Sequence, residues 1–69
     1  MTLDMISTRV YTNGTDNLEV TVTYWTNGSE TWFFYIGEKE YYYQKPTYAR
    51  ARLEKLGYKY VDTIRSKAF

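Results

Sequence analysis

Leu18-Glu19-Val20-Thr21-Val22-Thr23-Tyr24-Trp25 decides the fold class of this chain. Apolar side chains at 18, 20, 22 and 24 alternate with Glu19, Thr21, Thr23 and Trp25, the period of two that a strand shows when one of its faces is buried. Upstream, Ile6, Thr8, Val10 and Thr12 alternate with Ser7, Arg9 and Tyr11 in a second run rich in β-branched residues. Between the two lies Asn13-Gly14-Thr15-Asp16-Asn17, where Asn and Gly tolerate the positive φ of tight hairpin loops. If all five residues form the loop, Thr12 opposes Leu18, Val10 opposes Val20 and Ile6 opposes Tyr24, which gathers the apolar residues of both strands on one face. A two-residue Asn-Gly turn would set Val10 against Asn17 and Thr8 against Glu19. The longer or bulged loop is therefore expected.

Downstream, the turn Asn27-Gly28-Ser29-Glu30 leads into Thr31-Trp32-Phe33-Phe34-Tyr35-Ile36, a strand that is apolar on both faces. With Thr26 opposite Thr31, the core face takes Val20, Val22, Tyr24, Phe33 and Tyr35, and the opposite face takes Trp25, Trp32, Phe34 and Ile36. A bulge at Gly28 would swap the two sets. After Gly37, the stretch Glu38-Lys39-Glu40 reads as a turn and Tyr41-Tyr42-Tyr43-Gln44 as a short strand, with one long bent third strand as the alternative. Pro46 suits the first turn of a helix that begins at Lys45 or Thr47. Ala49, Leu53 and Leu56 then recur at amphipathic spacing, and Gly57 fits the left-handed stop, with Tyr58 packing back on Leu53. A last, imperfectly alternating strand runs through Tyr58-Lys59-Tyr60-Val61-Asp62-Thr63-Ile64-Arg65.

The expected architecture is α+β: an antiparallel three- to four-stranded β-meander with one amphipathic helix packed on one face and a C-terminal strand, residues 1–69 forming a single small domain. Val10, Val20, Val22, Tyr24, Leu53 and Leu56 are its expected core. One helix covers one sheet face only, so the other is solvated or bound to something.

With no His and no Cys, the 69 residues have no imidazole base, no thiol nucleophile, no disulfide and no usual zinc ligand. Glu38 and Glu40 would share a face in an extended stretch, but a charged turn accounts for them, and the four glycines stand singly at turns rather than in a phosphate-binding loop. Neither catalysis nor a cofactor nor a metal site is expected. The two Asn-Gly-Thr/Ser triplets match glycosylation acceptors, yet both lie where hairpins need Asn-Gly. No apolar stretch approaches the roughly 20 residues of a membrane helix, and the acidic Met1-Thr2-Leu3-Asp4-Met5 start is unlike an export signal, so a cytoplasmic setting is expected.

Fourteen aromatic residues, nine of them tyrosine, remain to be explained, together with a hidden charge asymmetry. Arg9 and Lys39 against six acids leave residues 1–44 at −4, while seven cations against two acids leave residues 45–69 at +5, for a net charge of +1. Mutual attraction of the halves accounts for part of this pattern. Trp25, Trp32, Phe34 and Tyr41, Tyr42 and Tyr43 supply the ring-rich surface typical of interface cores, and are the expected partner contacts. Arg50, Arg52 and Lys55 are the expected phosphate contacts if the ligand is nucleic acid and the rings stack on bases. The three-strand-plus-helix order loosely resembles small sheet-reading DNA-binding domains of recombinases, in topology and not in motif.

The profile is similar to that of small bacteriophage accessory proteins that block a host protein. The expectation is a non-catalytic protein-binding protein acting through an aromatic sheet face on a host protein or a second copy, with nucleic-acid binding as the alternative.

Overall fold

A computed structural model describes residues 2–68. Five strands and one helix follow one another as β1 (Leu3–Thr12), β2 (Asn17–Trp25), β3 (Glu30–Ile36), β4 (Lys39–Tyr43), α1 (Pro46–Lys55) and β5 (Lys59–Ala68). The strands form one antiparallel sheet in the order β4-β3-β2-β1-β5. The α+β meander with a C-terminal strand is thus the architecture of the molecule, and 39–43 is a strand of its own. After β4 the chain crosses one face of the sheet through α1, which contacts β3 and β4, and adds β5 on the far edge beside β1.

The turns set the register, and the register sets which side chains are buried. The first loop has four residues, not five. Asn13 Oδ1 accepts hydrogen bonds from the N–H groups of Thr15 (2.9 Å) and Asp16 (2.7 Å), and the Asn13 N–H donates to the Asp16 carbonyl (3.2 Å). The loop closes one residue early, so that Thr12 pairs with Asn17, Tyr11 with Leu18, Arg9 with Val20 and Ser7 with Val22. A shift of one residue sends every side chain of a strand to the other face. Ser7, Arg9 and Tyr11 accordingly line the helix side, while Ile6, Thr8 and Val10 face away from it, correcting the expected opposition of Val10 and Val20.

The second turn shows the same logic. The Gly28 N–H donates to the Trp25 carbonyl and the Trp25 N–H to the Ser29 carbonyl, both at 3.0 Å, and Gly28 takes φ +87°. This is the three-residue hairpin loop with a glycine bulge, in which a side chain at that position would be strained. It pairs Tyr24 with Glu30, Val22 with Trp32 and Thr21 with Phe33. The bulge at Gly28 therefore swaps the two aromatic sets. Trp32 and Phe34 lie in the core at 0% and 1% exposure, and Phe33 and Tyr35 take the outer face. The two arrangements differ in polarity: the chosen one encloses the fully apolar Phe34 and leaves the Tyr35 hydroxyl in water.

The core comprises Tyr11, Leu18, Val20, Val22, Trp32, Phe34, Ala49 and Leu53, with Tyr24, Ile36, Tyr41, Tyr43 and Tyr58 packed around it. Of the expected core, Val20, Val22 and Leu53 are fully buried and Tyr24 is partly so; Val10 lies on the other face, and Leu56, just past the helix, is 38% exposed. Phe34 stacks on Tyr41 (5.0 Å, 10° between planes) and more loosely on Tyr43 (6.2 Å, 25°).

Pro46 occupies the first turn of α1, where its missing N–H leaves no orphan donor. At the other end, Tyr58 N–H donates to the Leu53 carbonyl (2.9 Å) and Gly57 N–H to that of Glu54 (3.0 Å), with Gly57 at φ +87°. These two bonds are the Schellman stop that the sequence signalled at Gly57.

In β5, register shifts opposite Thr8/Arg9 and Val10/Tyr11 leave Ile64 and Val61 as extra residues, the physical cause of its imperfect alternation. The same irregularities bend this exposed edge and make it a poor template for further strand pairing.

This register ranks the valines and leucines differently from the sequence pattern. Leu53→Ala should cost about 2–5 kcal/mol, since it empties a fully enclosed site. Val10→Ala should cost about 1 kcal/mol or less, as befits a partly buried residue outside the core. Urea unfolding of the two variants checks this, and equal losses would contradict the register.

Candidate functional site

Two adjacent rows of the sheet define its two surfaces. On the helix side Tyr43, Trp32, Val22, Ser7 and Ser66 stand side by side across all five strands; one residue further along each strand, Tyr42, Phe33, Thr21, Thr8 and Arg65 make the matching row on the outer side. The helix covers the first row at its β3 and β4 end. No helix or loop among the described residues covers the second.

The outer face is aromatic at the β3 and β4 end. Phe33 packs edge-on against Tyr35 (5.0 Å, 83°), Tyr42 is the cross-strand partner of Phe33, and Tyr35 and Tyr42 are each 53% exposed. Trp25 closes this surface near the second turn, its indole N–H donating to Thr31 Oγ1 at 3.2 Å. Toward β1 and β5 the face becomes aliphatic and hydroxylated, with Thr8, Thr21, Thr23 and a shallow recess lined by Ile6, Thr8, Ile64 and Arg65. Arg65 Nη2 donates to Glu19 Oε1 at 2.8 Å across this face. This pair joins the acidic meander to the basic C-terminal segment, although with both side chains mostly exposed it contributes little to stability.

Of the expected contact residues, then, Trp25 and Tyr42 lie on the uncovered face. Trp32, Phe34, Tyr41 and Tyr43 do not: the register puts them beneath or beside the helix, where Trp32 and Phe34 have no surface left to offer a partner. Phe33 and Tyr35 take their place. The signal for them was the glycine bulge at Gly28, which determines which half of a doubly apolar strand turns outward.

The helix side holds a second cluster that sequence patterning missed. The Arg9 guanidinium lies 5.0 Å from the centre of the Trp32 ring and 6.0 Å from that of Tyr60, and its Nη2 donates to the Tyr24 hydroxyl at 2.7 Å. From the helix, the Arg50 guanidinium approaches the same indole at 5.7 Å. Tyr11 meets Trp32 edge-on at 6.4 Å and Tyr60 at 5.7 Å, while Glu30 Oε1 accepts the Trp32 indole N–H at 3.2 Å. Two cations thus share one indole, and among the described residues neither has a carboxylate within ion-pair distance. Arg9 Nε is enclosed with no hydrogen-bond partner.

Electrostatics within the cluster follow from this geometry. Burial works against the charged Arg9, but the hydrogen bond to Tyr24 and the neighbouring Tyr24 and Tyr11 phenols outweigh it and hold its pKa above the ordinary value. Burial pushes the Tyr11 phenol up as well, more strongly than the Arg9 and Arg50 charges pull it down. Arg52 and Lys55 sit on the other flank of α1, Arg52 Nε donating to the Tyr43 hydroxyl at 3.2 Å beside the exposed Tyr48. All three expected helix cations are exposed, and Arg50 alone joins the Trp32 cluster.

No family model, curated protein or solved structure matches this chain. None of its helices is long and apolar enough to cross a membrane, among the described residues.

The raised Tyr11 pKa gives a pH dependence of definite sign. The native state keeps a proton that the unfolded chain releases above about pH 10, so this group's contribution is intact below that pH and is lost as the pH climbs further. Stability measured by urea titration from pH 9 to 11.5 should decline less steeply for Tyr11→Phe than for the parent. Parallel curves would show that Tyr11 titrates as a free phenol.

Proposed function

We propose that this is a non-catalytic binding protein whose working surface is the uncovered sheet face, centred on Phe33, Tyr35 and Tyr42 and bordered by Trp25. One observation carries the reading: three aromatic side chains of β3 and β4, two of them more than half exposed, stand together on a face that no other element among the described residues shields. A contiguous apolar patch of this kind on a small protein is characteristic of interaction sites, and rigid Tyr and Trp rings give large contact area at little entropic cost. The partner is a protein, either a host protein of the inhibitory kind or another copy of the chain, in a cytoplasmic setting. The composition supplies no imidazole and no thiolate, and no group of three acids among the described residues stands close enough to hold a metal ion.

The test is a photo-crosslinking amino acid placed at Tyr42 on the outer face and, separately, at Tyr48 on the helix, in the cells that make the protein. A single discrete protein adduct is expected from position 42, lost when Phe33 and Tyr35 are both changed to Ser, with no protein adduct from position 48. Protein adducts from position 48 alone, or a protein adduct at 42 that survives the double change, would contradict the proposal.

A further inference from the structure

On the opposite side of the sheet, Arg9 and Arg50 converge on one indole, and among the described residues neither is paired with an acid. A guanidinium against an indole is stabilised by the ring's negative face, and here two guanidinium groups use one indole. None of the described acids stands within ion-pair distance of either: Glu30 reaches the Trp32 indole N–H, and Glu19 pairs with Arg65. The cluster is thus a fixed excess of positive charge, held in place by Tyr24 and Trp32 and faced by the Tyr60 ring, itself 53% exposed.

We propose that Arg9 and Arg50 form a binding site for a backbone phosphate of single-stranded nucleic acid, with Tyr60 as the stacking surface for the adjoining base. Guanidinium groups match phosphate oxygens in a fork geometry, and a phosphate supplies the anionic partner that both arginines lack among the described residues. Nucleic acid is favoured over an acidic peptide by what surrounds the pair. Tyrosine rings and cations are interleaved on this side: the exposed Tyr60 ring beside Arg9, with Arg50 on the same indole as Arg9, and the exposed Tyr48 and partly buried Tyr43 beside Arg52 and Lys55 on the other flank of α1. A charged track interleaved with rings is the arrangement that binds single strands without reading sequence. A carboxylate ligand would make no use of the rings. This site lies on the far side of the sheet from Phe33, Tyr35 and Tyr42, so it stands or falls independently of the sheet-face proposal.

The experiment is fluorescence anisotropy of a labelled twelve-residue oligothymidylate with the full chain at several salt concentrations. The parent should bind. Arg50→Gln should weaken binding about tenfold, as expected for one lost charge-assisted contact, and reduce the log-log salt slope by about 0.7, the share of one single-strand phosphate. Arg65→Gln, on the outer face, should bind like the parent, and Tyr60→Ser should weaken thymidylate but leave an abasic strand of equal length unaffected. Arg50 is exposed, so its variant is expected to fold, and circular dichroism verifies that. The proposal is overturned if the parent does not bind the strand or if Arg50→Gln keeps the parent's affinity and slope. It is also overturned if Arg65→Gln loses as much, or if polyglutamate or inorganic phosphate competes as well as the unlabelled strand.

Discussion

The enclosure of Trp32 is the constraint on which the rest of this structure depends. Its indole is fully buried, flanked by Tyr11 from β1, paired with Val22 of β2 and Tyr43 of β4, and approached by Arg9 from the sheet and Arg50 from the helix. Every layer of the molecule thus meets one side chain. In a chain of 69 residues a single core supplies only about 3–5 kcal/mol, and a ring of this size is a large part of what such a core contains. The position of Trp32 also fixes the outer face, because enclosing residues 32 and 34 obliges 33 and 35 to point away.

What places Trp32 inside is local. A strand apolar on both sides carries no preference of its own, and the choice falls to the turn before it. The three-residue loop with Gly28 at positive φ selects one pairing, and the four-residue loop capped by Asn13 selects the companion pairing in which Tyr11 and Arg9 turn toward the helix. Both loops are short, so each adds little closure entropy, and together they determine both faces of the three central strands. The arginine follows as a consequence: once Tyr11 is enclosed, Arg9 two residues earlier must share its side of β1, and it is accommodated by aromatic faces and a phenol oxygen in place of an acid.

The sequence made the elements legible and left the faces undecided. Alternation along 18–25, the Asn-Gly turns, Pro46 and the Gly57 stop each rest on a local rule, and each element stands where those rules put it. Loop length could not be read with the same certainty, because Asn13-Gly14-Thr15-Asp16-Asn17 suits a loop of four residues or of five, and one residue reverses a strand. Ile6, Thr8 and Val10 looked like the buried set because they are β-branched; Ser7, Arg9 and Tyr11 won because the turn's hydrogen bonds and the area of Tyr11 weigh more than two aliphatic side chains. The candidate contacts divided accordingly. Trp25 and Tyr42 were identifiable, Trp32 and Phe34 belong to the core, and Phe33 and Tyr35 followed only from the bulge that the sequence allowed at Gly28. Arg9 escaped notice because a lone arginine in a strand reads as solvated.

The most direct measurement is a nuclear Overhauser spectrum of the folded protein that resolves the Trp32 ring and the valine methyl groups. Cross-peaks between the Trp32 indole and the Tyr11 ring are expected, with none between the methyls of Val10 and Val20, because Tyr11 and Trp32 meet edge-on while Val10 pairs with Glu19 on the other face. Strong contacts between Val10 and Val20 without any between Tyr11 and Trp32 would mean that the first hairpin is shifted by one residue. The β1 part of the outer face and the arginine cluster would then both be misassigned.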